Sequence, residues 1–319
     1  MSSARLRFVV RRTAVMIPVI VAMSIFVFLV IRLVPGDPVR TMLGFRANDE
    51  NVATIRAQLG LDQPLLDQYL AWAGGLLRLD LGRDFISNVP ISQLLGERLP
   101  VTLELTFLAM GLAVIVGIPL GVLAATRRKS MGRATTAYAV AGISIPDFWL
   151  GIMLVLLMAG TFRLLPPSGY VPFLEDPVAN LRYMILPVLT LAVAESAYIL
   201  RTTRASMEET MGSPFISFLR AKGVSERRIT YHHALRNAAI PIITVIGIQV
   251  GVLLGGAIVI EVLFALPGVG RMLVTAISQR NYPVVQAGIL TVAIIFILVN
   301  FVTDLIYGML DPRLEEGDE

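Results

Sequence analysis

Residues 105–126 read LTFLAMGLAVIVGIPLGVLAAT, a run of 22 residues without a charged side chain. A helix of roughly 20 apolar residues spans a hydrocarbon core about 30 Å thick, so this run predicts a transmembrane helix. The rest of the chain agrees, because 55% of its 319 residues are hydrophobic and only 16% are charged, with a mean hydropathy of +0.74. A soluble domain carries about 25% charged residues. The composition therefore indicates an integral membrane protein.

Five further runs have the length and composition of membrane spans. These runs are residues 14–31, 134–162, 183–200, 238–260 and 281–303. Asp147 is the only charge in the run 134–162, which we expect to form one span, and Glu195 lies near the end of the weakest run. The pattern lacks the alternation over about ten residues that marks a membrane β-barrel. The sequence therefore predicts an all-α polytopic membrane protein with six transmembrane helices.

The distribution of Lys and Arg predicts the orientation of the spans, because cytoplasmic loops carry an excess of basic residues. Sixteen lie on the side that holds both termini, and four lie in the two short loops of the other side. Both termini are therefore expected in the cytoplasm, and the pI near 9.6 reflects topology and not nucleic-acid binding. The arginines before the first span also resemble the start of a signal peptide. Because the apolar run is long and lacks a small-residue cleavage site, we expect a retained helix, with a cleaved signal as the alternative.

Two segments outside the predicted spans are long enough to carry function. The first, residues 34–100, shows helical apolar spacing over residues 52–59 and 65–79. The stretch Gly60-Leu61-Asp62-Gln63-Pro64 between them ends one helix and starts the next. The apolar faces of these helices either pack on the outer ends of the spans or dock an external protein, and the two alternatives are compatible.

The second segment is the cytoplasmic loop of residues 201–237. Residues 217–222 predict a short helix that Gly223 ends, and Ser225 is placed to cap a second helix that continues into the fifth span. Such a helix–glycine–helix elbow presents its side chains as a rigid unit, which suits coupling to another protein. The alternative is a solvated basic linker, which would not need the apolar spacing of this loop. The apolar positions are Phe215, Ile216, Leu219 and Ile229.

Motifs in a fixed order along nearly the whole chain carry a resemblance to a known family. The main motif is Arg220-Ala221-Lys222-Gly223-Val224-Ser225-Glu226-Arg227-Arg228, followed by His233-Ala234-Leu235-Arg236-Asn237-Ala238. The supporting motifs are Pro35-Gly36-Asp37-Pro38, Leu59-Gly60-Leu61-Asp62-Gln63-Pro64, Leu99-Pro100-Val101-Thr102-Leu103, Ile145-Pro146-Asp147-Phe148, Leu253-Leu254-Gly255-Gly256, Pro267-Gly268-Val269-Gly270-Arg271, Asn281-Tyr282-Pro283-Val284-Val285-Gln286 and Asp311-Pro312-Arg313. Together they resemble the inner-membrane permeases of ABC importers. More narrowly, they resemble the dipeptide/oligopeptide/nickel family, in the branch with a long first external loop.

The resemblance implies the type I ABC importer permease architecture and several partners. The chain would pair with a second homologous permease, and both would rest on two ATP-binding subunits that hold ATP and magnesium. A periplasmic or lipid-anchored solute-binding protein would deliver the solute. Di- or oligopeptides are the expected solute, although relatives also carry nickel chelates, glutathione and oligosaccharides. The chain itself would hold no cofactor and would contact membrane lipid in the inner (cytoplasmic) membrane of a bacterium or archaeon.

The resemblance also implies an organisation and a coupling site. Residues 1–34 would form the cytoplasmic N-terminus and first span, residues 35–99 the external loop, and residues 100–319 a five-helix core that includes the coupling loop 201–237. The residues expected to couple to the ATPase are Arg220, Ala221, Lys222, Gly223, Val224, Ser225, His233, Leu235 and Arg236. The general signature begins Glu-Ala-Ala six residues before its glycine, where this chain has Ser-Phe-Leu, and its later proline falls on Arg236. Both departures are typical of the branch and leave the exact ATPase contacts open.

Ionisable residues within or near the spans are candidates for a polar pathway, because such groups are rare in lipid and normally face the bundle interior or water. They are Glu104, Asp147, Glu195, Glu261 and Asp304. For Glu195 and Glu261 the functional interpretation is a pathway lining that meets the amino group of a peptide. The alternative is a hydrogen bond to a helix end or to a neighbouring arginine.

The sequence predicts neither catalysis nor metal binding in this chain. Cysteine is absent, which excludes thiol catalysis and thiolate zinc sites, and no Gly-x-x-x-x-Gly-Lys-Ser/Thr phosphate loop occurs. His232 and His233 have no carboxylate or serine at catalytic spacing. Two other classes stay open: a secondary transporter, which should show internal repeats and paired ionisable groups near the midplane, and an intramembrane enzyme. Copurification of ATPase subunits would separate the importer from both.

Overall fold

A computed structural model gives the structure of the chain and describes residues 3–33, 39–40, 47–58, 60–126 and 129–310. Within these ranges the regular structure is helical, and the one β-type contact is an isolated antiparallel bridge between Arg83 and Pro90. Two of the sequence motifs above, at residues 35–38 and 311–313, lie outside the described residues, as do Arg127 and Arg128.

The described helices follow one another with short connections. In chain order they are α1 (Ser3–Leu33), α2 (Asp49–Gln58), α3 (Leu65–Leu77), α4 (Ile91–Thr126), α5 (Lys129–Ser144), α6 (Asp147–Leu154) with its π-helical continuation π1 (Val155–Thr161), α7 (Pro177–Met211), α8 (Pro214–Ala221), α9 (Glu226–Arg228), the π-helical π2 (Ile229–Ala234), α10 (Leu235–Asn237), α11 (Ala239–Leu263), α12 (Val269–Ser278) and α13 (Tyr282–Leu310).

The predicted spans are present as five long apolar helices and one broken pair. The long helices with the length and hydropathy to cross a membrane are α1, α4, α7, α11 and α13. The sixth predicted span is present as a broken pair, because α5 and α6 meet at a bend of 100°. Pro146 explains the break: it has an extended ψ of 134°, offers no N–H, and disfavours a helical conformation in Ile145.

Contacts group the chain into two compact units, of which the first comprises Met1–Thr102 and Pro267–Leu298. Its core joins α1, the start of α4, α12 and the start of α13. The buried members are Val27, Ile91, Leu95, Val269, Leu273, Ala276, Val284, Val285 and Ala287. The Thr102 hydroxyl accepts a hydrogen bond of 2.9 Å from the Val269 N–H. It thereby satisfies a free donor at the first turn of α12.

Within this unit, α3 is attached to α1 by polar and aromatic contacts. The Tyr69 hydroxyl lies 2.9 Å from Ser24 Oγ, and the Phe28 ring contacts the rings of Tyr69 and Trp72 at centroid distances of 5.3 and 5.8 Å. Arg32 donates two hydrogen bonds to the side-chain oxygen of Gln68, at 2.9 and 3.1 Å. One side of α3 is thus fixed to the first span.

The second unit comprises Leu103–Leu266 and Val299–Glu319, and its helices α4, α5 and α7 approach very closely. A Cβ built at Gly121 would lie 2.5 Å from Thr203 Cβ, one at Gly117 would lie 2.8 Å from a carbonyl oxygen of α7, and one at Gly142 would lie 2.8 Å from Ala197 Cβ. Glycine is required at these places because any side chain would separate the helices, as at small-residue interfaces of membrane helices.

Candidate functional site

The elbow predicted between the fourth and fifth spans is formed by α8, α9, π2 and α10. Its first helix begins at Pro214, three residues before the predicted start at residue 217, with the proline at the first helical position after Ser213. Ile216 is fully buried, whereas Phe215 and Phe218 are exposed. The short helix is therefore amphipathic: one side faces the protein and the other faces outward.

Gly223 ends α8 with a Schellman motif, the usual helix stop that needs a left-handed residue. Its φ is +76°, its N–H donates to the Arg220 carbonyl at 2.9 Å, and the Val224 N–H donates to the Leu219 carbonyl at 3.1 Å. Leu219 and Val224 pack against the same core, which supplies the apolar contact of the motif. A Cβ built at Gly223 would meet nothing within 4 Å, so the glycine is required by its backbone conformation and not by crowding within this chain.

The second half of the elbow starts at Ser225, which occupies the N-cap position of α9. The Ser225 side chain makes no capping hydrogen bond, so its predicted role as a side-chain cap was wrong, although its carbonyl accepts from the Ile229 N–H at 2.9 Å. Arg220 instead connects the two halves, because its Nε donates to Glu226 Oε1 at 2.7 Å and a second nitrogen donates to Oε2 at 3.3 Å. This hydrogen bond lowers the pKa of Glu226.

A hydrophobic core fixes the elbow to the spanning helices of the second unit. The buried members are Val122 of α4, Met207 of α7, Ile216, Ile229, Ala234, Ala238 and Ile242 of α11. The elbow therefore has a defined position relative to three spans, which a solvated basic linker would not have. Of the four apolar positions that the sequence shows in this loop, Ile216, Leu219 and Ile229 lie on the buried side of the elbow, whereas Phe215 is exposed.

The outer surface of the elbow combines basic and aromatic side chains. The Lys222 ammonium lies 4.5 Å from the centre of the Phe218 ring, within the range of a cation–π contact. The rings of His232 and His233 meet edge to face at 5.1 Å, and Phe215 lies 6.3 Å from His233. The other exposed members of this surface are Arg220, Ala221, Gly223, Ser225, Glu226, Arg227, Arg228, Tyr231 and Arg236. This face of the elbow offers cations and aromatic rings to a partner.

The structure brings the nine predicted coupling residues onto this one elbow. Val224 and Leu235 are partly buried against the elbow core, and His233 is half-buried, while the other six residues are exposed. Val224 and Leu235 therefore hold the elbow in place, whereas the exposed residues are free to meet another protein. The described residues contain no group of three or more His, Cys, Asp or Glu side chains that could hold a metal ion.

Glu195 and Glu261, the two candidate pathway residues, are both buried in the second unit. Glu195 Oε2 accepts a hydrogen bond of 2.7 Å from Gln249 of α11, a partner that the sequence analysis did not single out. Asp147, at the start of α6, lies close enough to Glu195 for their charges to interact. Glu195 thus has a polar environment at the level of the break between α5 and α6, where a carboxylate is costly in lipid.

A further, partly buried carboxylate, Glu104, pairs with the segment between π1 and α7. The Tyr170 hydroxyl donates a hydrogen bond of 2.8 Å to Glu104 Oε2, and within the described part of the chain the other oxygen of Glu104 is buried without a partner. The segment is also held by the Gly169 N–H, which donates to the Phe264 carbonyl at 2.9 Å. Sequence spacing gave no signal for these contacts, because Glu104 and Tyr170 are 66 positions apart.

Two family profiles match the chain. The profile described as "Binding-protein-dependent transport system inner membrane component" matches residues 117–316. A second profile, described as the N-terminal part of a binding-protein-dependent transport system membrane component, matches residues 5–106. The elbow lies within the first match.

Proteins similar over almost the whole length carry consistent names. A "putative peptide transport system permease protein" of Brucella abortus is 43% identical over 307 residues, which are 96% of this chain and 98% of that protein. The "dipeptide transport system permease protein DppB" of Escherichia coli K12 is 41% identical over 334 aligned positions, covering 97% and 98%. Among solved structures, a chain of the inward-facing MetNI methionine ABC transporter matches with a TM-score of 0.56 and 19% identity, covering 69% of this chain and 97% of that chain. The last match shows a shared fold.

Proposed function

Because the chain belongs to the family of binding-protein-dependent transport system inner membrane components, we propose that it forms, with a second permease, the pathway by which an importer carries di- or oligopeptides. The chain is a multi-pass permease component of an ABC transporter with the type I importer fold. It acts with partner ATPase and permease subunits, and ATP hydrolysis belongs to the ATPase subunits. In the proposal, two such subunits hold ATP and magnesium below the membrane.

The geometry of the elbow is the observation that carries the coupling part of the proposal. A displacement of an ATPase subunit does work on the pathway only if the contacting element is firmly attached to the spans. The buried core around Ile216 and Ile229 supplies this attachment, and the Schellman motif at Gly223 sets the direction of the exposed basic surface. We assign ATPase docking to that surface, with Lys222, Arg220 and Arg236 as its cationic members.

We infer the orientation from the excess of basic residues on the elbow side of the spans, where sixteen Lys and Arg lie against four in the two short loops of the other side. We place the elbow and both termini in the cytoplasm of a bacterium or archaeon, which puts α2 and α3 on the outer side of its inner membrane. The natural absence of cysteine permits a direct test. Cysteines introduced at Asp67 and at Ser225, both exposed, should react with an impermeant maleimide from opposite sides of intact cells. Labelling of both from one side would refute the orientation.

The names of the relatives and the buried carboxylates support a peptide as the solute. A peptide brings a free ammonium group, which needs an anionic or carbonyl partner where lipid excludes water. We propose that Glu195, supported by Gln249, and Glu261 lie along the pathway and meet that ammonium group. Selectivity among peptides, nickel chelates, glutathione and oligosaccharides would be set largely by a separate solute-binding protein, periplasmic or lipid-anchored.

The exposed side of α3 is the proposed contact for the solute-binding protein. Tyr69 and Trp72 attach α3 to α1, while Leu66 and Leu70 remain exposed. A helix with one side fixed to a span and leucines on the other can receive a protein without losing its own support. Packing and docking, the two alternatives for this helix, thus use different sides of it.

The proposal is tested by purifying the tagged chain and reconstituting the resulting complex. Two ATPase subunits and a second permease should copurify, and proteoliposomes should take up a labelled dipeptide only with ATP and the solute-binding protein. Glu195→Gln should lower uptake of a dipeptide more than uptake of the same dipeptide with an acetylated N-terminus. A chain that purifies without ATPase subunits and drives uptake from an ion gradient would instead be a secondary transporter.

A further inference from the structure

A groove of about 860 Å³ opens along the elbow-side ends of α4, α5 and α7 in the second unit. A smaller cavity of about 290 Å³ adjoins it and shares Thr136, Val140 and Arg204 with its lining. The two cavities together are here named the basic groove. Neither the elbow nor the buried carboxylates of the proposed pathway contribute to its lining. Its charged members are Arg133, Arg201, Arg204 and Glu208.

The basic groove carries an excess of positive charge. Arg204 is held in place, because its Nε donates to Glu208 Oε1 at 2.8 Å and a second nitrogen donates to Thr136 Oγ1 at 2.7 Å. Glu208 therefore offsets one of the three guanidinium groups. Among the described residues no carboxylate lies within ion-pairing distance of Arg133 or Arg201, so two cationic charges remain for a ligand.

The polarity of the groove changes along α5 in a definite order. Arg133 lies near the start of the helix, Thr136 follows one turn later, and Val140 and Ile143 line the groove further along the same face. At 1.5 Å per residue, Val140 lies about 10 Å above Arg133 along the helix axis. Val140 is 60% exposed, so the apolar part of the groove is open and not filled by the chain's own side chains.

We propose that the basic groove binds an anionic phospholipid of the cytoplasmic leaflet. The phosphate lies among the three guanidinium groups, which bind phosphate oxygens through paired N–H donors, and an acyl chain lies along Ala137, Val140 and Ile143. A phospholipid carries both an anionic group for the arginines and hydrocarbon for the apolar wall of this groove. Basic pockets between spans on the cytoplasmic side are suited to such headgroups.

The observations favour a lipid over a free anion or a neighbouring protein helix. A free phosphate would use the arginines but would leave the apolar wall around Val140 exposed to water. A packed helix from another subunit would cover the wall, yet it would need its own carboxylates beside Arg133 and Arg201 to offset their charge. Only the lipid satisfies both the arginines and the apolar wall without a further residue.

The test uses the full chain purified in neutral detergent and placed in nanodiscs of phosphatidylcholine. The probe is phosphatidylglycerol with a photoreactive acyl chain, at 5 mol%, compared with a photoreactive phosphatidylcholine. After irradiation, peptide mapping should find adducts on residues 132–144 and 200–208. The phosphatidylglycerol probe should give clearly more of these adducts than the phosphatidylcholine probe. The double variant Arg133→Gln/Arg201→Gln, which leaves the Arg204 contacts intact, should reduce these adducts by on the order of tenfold.

Three controls make the outcome decisive. Arg182→Gln removes an exposed arginine at the other end of α7 and should leave the adducts unchanged, whereas Arg133→Lys/Arg201→Lys should restore most of them. The soluble headgroup glycerophosphoglycerol should not displace the probe, because it lacks the acyl chain. Displacement by that headgroup, equal labelling by both lipids, or full labelling of the glutamine variant would overturn the proposal. In the assembled importer, the adducts could be lost while a second permease is cross-linked at Arg133. That result would show that the groove is the contact site of the second permease, and it would overturn the lipid proposal as well.

Discussion

Replacing Gly223 with valine tests whether the turn at the elbow directs coupling. The position has a φ of +76° and open space where a Cβ would lie, so the cost of valine is the cost of the backbone conformation alone. A left-handed conformation costs an L-residue about 1–2 kcal/mol, and a strained residue of this kind up to about 3 kcal/mol. Because 1.4 kcal/mol is a factor of ten, the native turn should lose roughly 5- to 150-fold in population relative to altered turns. Asparagine tolerates the left-handed conformation, so Gly223→Asn is the matched control.

The assay measures dipeptide uptake and ATP hydrolysis in proteoliposomes that contain the whole importer at matched expression. Gly223→Val should insert normally, because the residue is exposed and lies outside the spans, but should transport far less solute per ATP hydrolysed or should lose the ATPase subunits during purification. Gly223→Asn should retain most of the uptake. If valine were tolerated, the turn would have no part in coupling. If asparagine failed as completely as valine, the glycine would be needed for close approach of the ATPase surface and not for its φ.

Further predictions concern helix packing, the elbow charge and the outer helix. Gly121→Val places a side chain 2.5 Å from Thr203 Cβ. The overpacking should cost about 1–3 kcal/mol and lower the melting temperature of the purified chain. Gly111→Val is the control, because a Cβ at Gly111 meets nothing within 4 Å, and it should leave the melting temperature unchanged. The Arg220 hydrogen bond lowers the pKa of Glu226. The stability that this pair gives the elbow is therefore present above the ordinary carboxyl pKa and is lost as pH falls through the lowered pKa. In the wild-type importer, the amount of solute transported per ATP hydrolysed should therefore not change between about pH 6 and pH 8. Glu226→Gln should lower this ratio modestly and by the same factor throughout that range. Leu66→Gln/Leu70→Gln should reduce the stimulation of ATP hydrolysis by the solute-binding protein while basal hydrolysis persists; undiminished stimulation would exclude this face as the docking site.

The spans were predictable because hydropathy over about 20 residues reports directly on burial in lipid. The break at Pro146 was also visible in principle, since a proline inside an apolar run removes a hydrogen bond and restricts the preceding residue. The local sequence does not give the size of the bend, which is 100°.

The elbow was predictable in outline and not in its hydrogen bonds. Gly223 as a helix stop follows from its local sequence, because few other residues tolerate the left-handed turn. Ser225 shows the limit of such rules: it occupies the capping position, but Glu226 pairs with Arg220 across the turn and the serine side chain makes no cap. The pairing of Glu195 with Gln249 depends on how two distant helices meet, and a single sequence contains no signal for it.

The glycines at 117, 121 and 142 have a mechanical consequence for how the protein moves. At each of these glycines the backbone packs directly against α7, so only the α7 side chains at the contact, such as Ile199 and Thr203, lie between the two helices. With so few side chains able to change rotamer, the helices resist slipping past one another. In the proposed coupling, a push received at the elbow core, which includes Val122 of α4 and Met207 of α7, would therefore reach α4, α5 and α7 together. These three helices would move as one unit, and the flexibility that each transport cycle needs would lie in other parts of the molecule.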